Sequence, residues 1–198
     1  MTEETEPPAI LSFLRREIFH TTSCDGLRGI FNAGAILPNH GQFNYTHGTD
    51  YSYGAAQRCV CLFDFETPSE DECIRTHDRW STMLRAHHPV TVAILLRHVA
   101  IRPQLIPNKC AIEANQPDAI YVPHVEVWSK EPVPITAIVG YIVICPVIED
   151  VFCAHPTTRD PTLDLAAINS VAAEFQQRYA KEYRRADEWK AAHGSDST

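Results

Sequence analysis

Two short segments carry side chains whose types suit chemistry. In EIFHTT, residues 17–22, His20 is followed by Thr21 and Thr22 at the end of a predicted strand, immediately before a predicted helix. In PHVEVWSKEPVPITAIVGYIVI, residues 123–144, Glu126 heads an apolar strand after a polar loop. A carboxylate at the lip of such a strand is either solvated or held in place to take a proton or face a developing positive charge. A histidine at a strand end is either a hydrogen-bonded structural group or a ligand contact, since each neutral ring offers one donor and one acceptor. Between the two, the loop PNHGQFNYTHGTDYSYG (38–54) delivers Tyr45, Tyr51, Ser52 and Tyr53 just ahead of the apolar run CVCLFDF (59–65).

The elements that must position these groups can be read from pattern. ILSFLRR predicts a short helix running into the strand that ends near His20. SCDGLRGIFNAGAIL predicts a helix with Ser23 or Asp25 as N-cap, apolar Leu27, Ile30 and Phe31 on one face, and Gly34 as its stop. Strands are expected at 59–65 and over PVTVAILLRHV, with an acidic loop at 66–74, a helix over HDRWSTMLRAH and a polar loop at 107–119. A strand, a two-proline break and a second buried strand follow from Glu126 onward. Over 161–193, Ile168, Val171, Ala172, Phe175, Tyr179, Tyr183, Ala186 and Trp189 recur at helical spacing, predicting an amphipathic helix. Clustered strands with few intervening helices predict an α+β fold. The expected organisation is an acidic leader (1–8), a catalytic-type domain (9–155), and a C-terminal helix with a polar tail (156–198).

Composition narrows the class. With 44% hydrophobic and 21% charged residues the chain reads as a folded domain, and no run approaches the ~18 apolar residues of a membrane span. The acidic start MTEETEPPAI has no signal-peptide character, so the expectation is a cytoplasmic protein that does not engage membranes. Seven cysteines without repeating spacing read as reduced thiols, and the Cys59/Cys61 pair lacks the companions of a zinc site, so no metal is expected. A net charge of −8 gives no global nucleic-acid footprint. One stretch runs the other way: Arg75, Arg79, Arg85, Arg97 and Arg102 face the single acid Asp78 between Ile74 and Arg102, a pattern that suits phosphates or simply a solvated face.

Taken together and in this order, IFHTTSCDGLRGIFNAGAI and HVEVWSKEPVPITAIVGYIVI resemble the ADP-ribosyltransferase superfamily in its histidine–tyrosine–glutamate branch, and within it the DarT-type enzymes that modify nucleic acid. The resemblance implies a split β-sheet core and NAD as co-substrate without a metal. Glu126 would be the catalytic residue, with His20, Thr21, Thr22, Ser52 and Tyr53 holding the dinucleotide. Tyr45 and Tyr51 compete with Tyr53 for the stacking role. Where many relatives carry Gln or Glu two positions before the glutamate, this chain has His124, so acceptor choice stays open. His124 and Lys109, in the loop ahead of Glu126, are the expected acceptor contacts. The implied acceptor is nucleic acid in preference to protein. A cognate antitoxin or inhibitor, a toxin or phage-defence role, and a monomer or weak dimer go with that reading. Three other readings stay open, the first of them a different enzyme on a similar scaffold. An RNA 2′-phosphotransferase would use Arg58 and Arg75 for phosphate, and a non-catalytic binding module would use Glu126 as an edge residue. A cysteine–histidine hydrolase would pair Cys24 with His20.

Overall fold

A computed structural model describes residues 9–40, 52–85, 87–120, 122–145 and 151–193. In chain order the elements are α1 (Leu11–Leu14), β1 (Ile18–Thr22), α2 (Cys24–Ala33), β2 (Ala35–Ile36), α3 (Tyr53–Ala56), β3 (Val60–Asp64), α4 (Glu70–Arg75), α5 (His77–Leu84) and β4 (Thr91–Leu96). Then come α6 (His98–Ile101), β5 (Ile106–Pro107), α7 (Lys109–Glu113), β6 (Glu126–Ser129), β7 (Val133–Pro134), β8 (Ile138–Cys145), β9 (Val151–Pro156) and α8 (Pro161–His193). The class is mixed α+β. Seven strands form an antiparallel sheet in the order β5-β6-β3-β1-β4-β8-β9, and β2 and β7 form a second, two-stranded sheet.

Local chemistry accounts for the boundaries. Ser23 caps α2 by accepting from the Gly26 amide, and Gly34 ends it in the left-handed region at φ 73°, where a side chain would be strained. The Gly34 carbonyl then accepts from the Ile135 amide, which ties the end of α2 to the segment after β7. The expected acidic loop at 66–74 instead contains α4. Ser69 and Glu72 form a reciprocal capping box there, and the Ser-x-x-Glu spacing is a helix-start signal that outweighs the density of acids. Part of the expected polar loop at 107–119 is likewise ordered as α7, and β5 precedes it.

Two apolar layers sandwich the sheet. On one face Ile18, Leu27, Ile94, Val127, Tyr141, Ile168 and Phe175 join β-strands to α2 and the first half of α8. The C-terminal helix therefore contributes to the same core as the strands that precede it. On the other face Leu14, Phe19, Phe63, Trp80 and Ile142 pack together, with Phe19 stacked on Phe63 at 5.2 Å between ring centres. A smaller cluster of Tyr53, Cys59, Ala111, Ile120 and Trp128 sits where α3 and α7 meet β3 and β6.

The register holds one irregularity that matters for function. β1 pairs with β4 along its whole length, from Ile18↔Leu96 to Thr22↔Val92, and β3 pairs with β6 from Val60↔Ser129 to Phe63↔Glu126. Between them, β1 and β3 register only at Ile18↔Asp64 and Phe19↔Phe63. The sheet forks after Phe19, and His20 is the first residue in the fork.

Candidate active site

Glu126 opens β6 opposite Phe63 and is 4% exposed. Alternation puts Trp128 on the same face two residues on, and its indole Nε1 donates to Glu126 Oε1 at 3.1 Å. The Val122 amide donates to Oε2 at 2.9 Å, while the Glu126 amide donates back to the Val122 carbonyl at 3.1 Å. This reciprocal clamp fixes the turn that enters β6. The Asp64 amide, donating to the Val125 carbonyl at 2.7 Å, fastens the same turn to β3.

His20 sits across the fork. Its Nδ1 lies 2.9 Å from the Cys61 carbonyl oxygen. A carbonyl only accepts, so Nδ1 carries the proton, and in the neutral ring Nε2 is left as an acceptor. Burial holds the imidazole below its ordinary pKa of 6.5, partly offset by that carbonyl bond, so the neutral form is favoured. Thr21 and Thr22 are buried on β1, and Thr22 occupies the space a Cβ on Gly26 would need, which seats the strand end against α2.

Tyr53 begins α3, and Ser52 caps that helix by accepting from the Ala55 amide at 3.2 Å. The Tyr53 ring packs on Trp128 with centres 4.5 Å apart. The next residue must be glycine here: a Cβ on Gly54 would lie 2.5 Å from Cys61 Sγ and 2.8 Å from two atoms of Trp128. Cys61 is thus the hub. Its carbonyl meets His20, its sulfur meets the backbone of α3, and burial together with the Glu126 charge pushes its thiol far above the ordinary range. The sequence pointed to His20, Ser52, Tyr53 and Glu126, and β3 brings all four into one neighbourhood. Tyr45 and Tyr51 lie outside the described residues.

The remaining expected contacts fall at the edge. Lys109 is exposed at the start of α7, two residues from Ala111, which is buried beside Tyr53 and Trp128. His124, at φ 69°, turns away to Glu72 of α4, with Nδ1 3.2 Å from Oε1. Of the arginine-rich stretch, Arg102 is engaged with Glu66 and lies 3.8 Å from Asp64. Sequence reasoning missed Trp128, Cys61 and Gly54. The period of two in EVW marks Trp128 as sharing Glu126's face, but nothing local marks the approach of α3 that makes Cys61 and Gly54 matter.

Thiol chemistry finds no support. Burial and the neighbouring Asp25 raise the Cys24 pKa, the opposite of what an activated nucleophile needs. Among the described residues, no group of three or more His, Cys, Asp or Glu side chains is placed to hold a metal. No helix among them is long and apolar enough to cross a membrane. A cavity of about 170 Å³ opens beside Phe65 and Cys73, and a groove of about 770 Å³ runs along α8; Glu126 lines neither. Its carboxylate is held by the Val122 amide and the Trp128 indole. No protein-family model matches the chain, and comparison with curated proteins finds no match.

Proposed function

We propose that the chain is an NAD-dependent ADP-ribosyltransferase of the histidine–tyrosine–glutamate type, with Glu126 as its catalytic carboxylate and nucleic acid as its acceptor. The observation that carries this reading is the fork: β1 and β3 part after Phe19, and His20, the Tyr53 helix and Glu126 all converge on Cys61 at the opening. A split between two half-sheets, with these three residue types around it, is what the resemblance implies.

The residues suit the group. Each carboxylate oxygen can accept more than one hydrogen bond, so Glu126 can take a ribose hydroxyl while Val122 and Trp128 keep it fixed. Neutral His20 offers Nε2 to a second hydroxyl. Tyr53 and Trp128 form an aromatic wall beside the carboxylate, the surface a flat cationic ring favours. In the reaction the bond between ribose C1′ and the nicotinamide nitrogen breaks and the nitrogen keeps the electron pair. The acceptor nucleophile then bonds C1′ and releases a proton. Glu126, preoriented in a site shielded from water, stabilises the positive charge that builds on the ribose. Thr21, Thr22 and Ser52 act behind this layer by seating β1 on α2 and capping α3. Lys109, exposed at the rim, is the acceptor-side contact, and His124 would join it only by leaving Glu72. The −8 net charge confines any phosphate-binding surface to a local patch.

The test is transfer of labelled ADP-ribose from NAD to separate pools of DNA, RNA and cell protein, with wild type and Glu126→Gln. Label is expected in a nucleic-acid pool, reduced by at least about 100-fold in the variant, the scale seen when one preorganised transition-state contact is removed. No label in any pool, no nicotinamide release and no thermal shift with NAD would reject the reading. Glu126 would then be the lock of a buried turn in a binding module.

A further inference from the structure

The cavity of about 170 Å³ lies at the end of β3 away from the fork. Its floor is apolar: Leu11, Phe65 and Cys73 are each no more than 3% exposed. Burial, with Glu72 and Glu70 near, pushes the Cys73 thiol up to about 11, so the sulfur is a neutral surface and not a nucleophile. The rim is charged. Arg15, Arg16, Glu66 and Glu70 line it, two guanidiniums and two carboxylates with no net charge. An ion of one sign would meet a like pair at this rim. A molecule that carries both signs meets an opposite group for each.

The rim groups are placed to accept such a molecule. Arg16 has no acidic partner among the described residues. Its backbone sits in the left-handed region at φ 66°, where glycine or asparagine costs less than arginine, so local backbone preference does not account for the residue. The Arg16 amide donates to the Phe65 carbonyl at 3.1 Å, which anchors the start of its side chain beside the cavity floor. Arg15 Nη2 and Glu70 Oε2 meet at 3.0 Å, but both side chains are exposed, so the pair yields readily to a better partner. Their approach also sets the two signs side by side, as they stand on the single carbon of an α-amino acid. Glu66 is shared with His98 and Arg102, so Glu70 is the acid released when Arg15 turns to a carboxylate. The volume is that of about six waters at about 30 Å³ each, well below a drug-sized pocket.

We infer that this cavity binds a free α-amino acid with a short apolar side chain. The ligand's carboxylate sits between Arg15 and Arg16, its ammonium on Glu70, and its side chain on Leu11 and Phe65. Binding is reversible and forms no covalent bond. The cavity shares no residue with the fork, so the site stands or falls independently of any transferase activity.

The test is isothermal titration calorimetry of the full chain with L-valine and two analogues that each lack one charge, 3-methylbutanoate and 2-methylpropylamine. Valine is expected to bind at least about tenfold more tightly than either, because each analogue forgoes one set of charge-assisted hydrogen bonds. Arg16→Gln should close most of the gap between valine and the amine, and Glu70→Gln most of the gap between valine and the carboxylate. Both positions are exposed, so the variants should keep the wild-type circular dichroism. Arg28→Gln, which removes an exposed guanidinium on α2, should leave all three affinities unchanged. No binding of valine, an analogue that binds as tightly as valine, or folded Arg16 and Glu70 variants that bind valine as wild type does would each overturn the proposal. Loss of valine binding in Arg28→Gln would place the site elsewhere and overturn it as well.

Discussion

β3 lies opposite Glu126 at Phe63, and this buried carboxylate has a backbone amide and an indole among its donors. At its Asp64 end the same strand lies beside His98 and Arg102, which meet Glu66 where water reaches both partners. His98 Nδ1 is 2.9 Å from Glu66 Oε2, and Thr67 and two backbone amides satisfy Asp64. One strand thus separates two ways of holding an acid. Opposite charge in high dielectric is forgiving, because water takes over when a partner is lost. Neutral donors in a buried site are not, because a lost acceptor leaves N–H groups with nothing to bind. Geometry is kept at the buried acid, as the proposed reaction would require.

The comparison is tested most severely by removing the two acids in turn. Glu126→Ala strands the Val122 amide and the Trp128 indole, at about 1–3 kcal/mol for each buried donor, so a loss of about 2–6 kcal/mol is expected in denaturant unfolding. Glu66→Ala should lose under about 1 kcal/mol. Equal losses would mean that the buried carboxylate is no more deeply embedded than the exposed one. Next in size is Gly54→Ala. The added methyl meets Cys61 Sγ at 2.5 Å and the Trp128 ring at 2.8 Å, so α3 must shift at a cost of about 1–3 kcal/mol. If the fork is the active site, the same variant should lose NAD-dependent thermal shift out of proportion to its stability. A mere packing defect would lower stability alone.

Much of this architecture was readable because local chemistry and global packing agree. Ser23, Gly34 and the spacing of Leu27, Ile30 and Phe31 bound α2 as expected, and the stripe from Ile168 to Tyr179 marked α8. The α+β class followed from strand clustering. What escaped was non-local. β5 is two residues long and is defined by its partner β6, so no periodicity announces it. β9 pairs along β8, but its apolar run VFCA is only four residues long and by itself does not tell a strand from a buried helical segment. The acidity of 66–74 masked the capping box that starts α4. At the site, His20 and Glu126 stood out together, through the two segments that carry the resemblance; alone, each reads as an ordinary strand-end residue. Cys61 looked like core, and only the fork and the approach of α3 make it the point where the others meet.

The buried side of the fork should also respond to pH. His20 is held below its ordinary value of 6.5 chiefly by burial, so the unfolded chain binds the proton first as pH falls. Stability tied to neutral His20 is then complete above about pH 6.5 and declines below it towards the folded pKa. Wild type is expected to lose stability between neutral pH and pH ~5, and His20→Gln should flatten that part of the profile. An unchanged slope in the variant would place the acid sensitivity elsewhere.

The smallest effect expected is at the ionic end, and it sets the baseline for the others. Arg102 is 45% exposed and Glu66 39%, so their pair is screened and each long side chain gives up rotamer freedom to form it. A double-mutant cycle of Arg102→Met and Glu66→Gln should return a coupling of about 0.2–1 kcal/mol that shrinks in high salt. The same cycle between Trp128→Phe and Glu126→Gln at the buried end should give a larger coupling with little salt dependence, because water and ions do not enter to replace the indole donor. If both couplings were small and screened alike, the Glu126 pocket would be wet and its carboxylate free to swing. The case for a preorganised charge facing the ribose would then be lost, whatever the fork looks like.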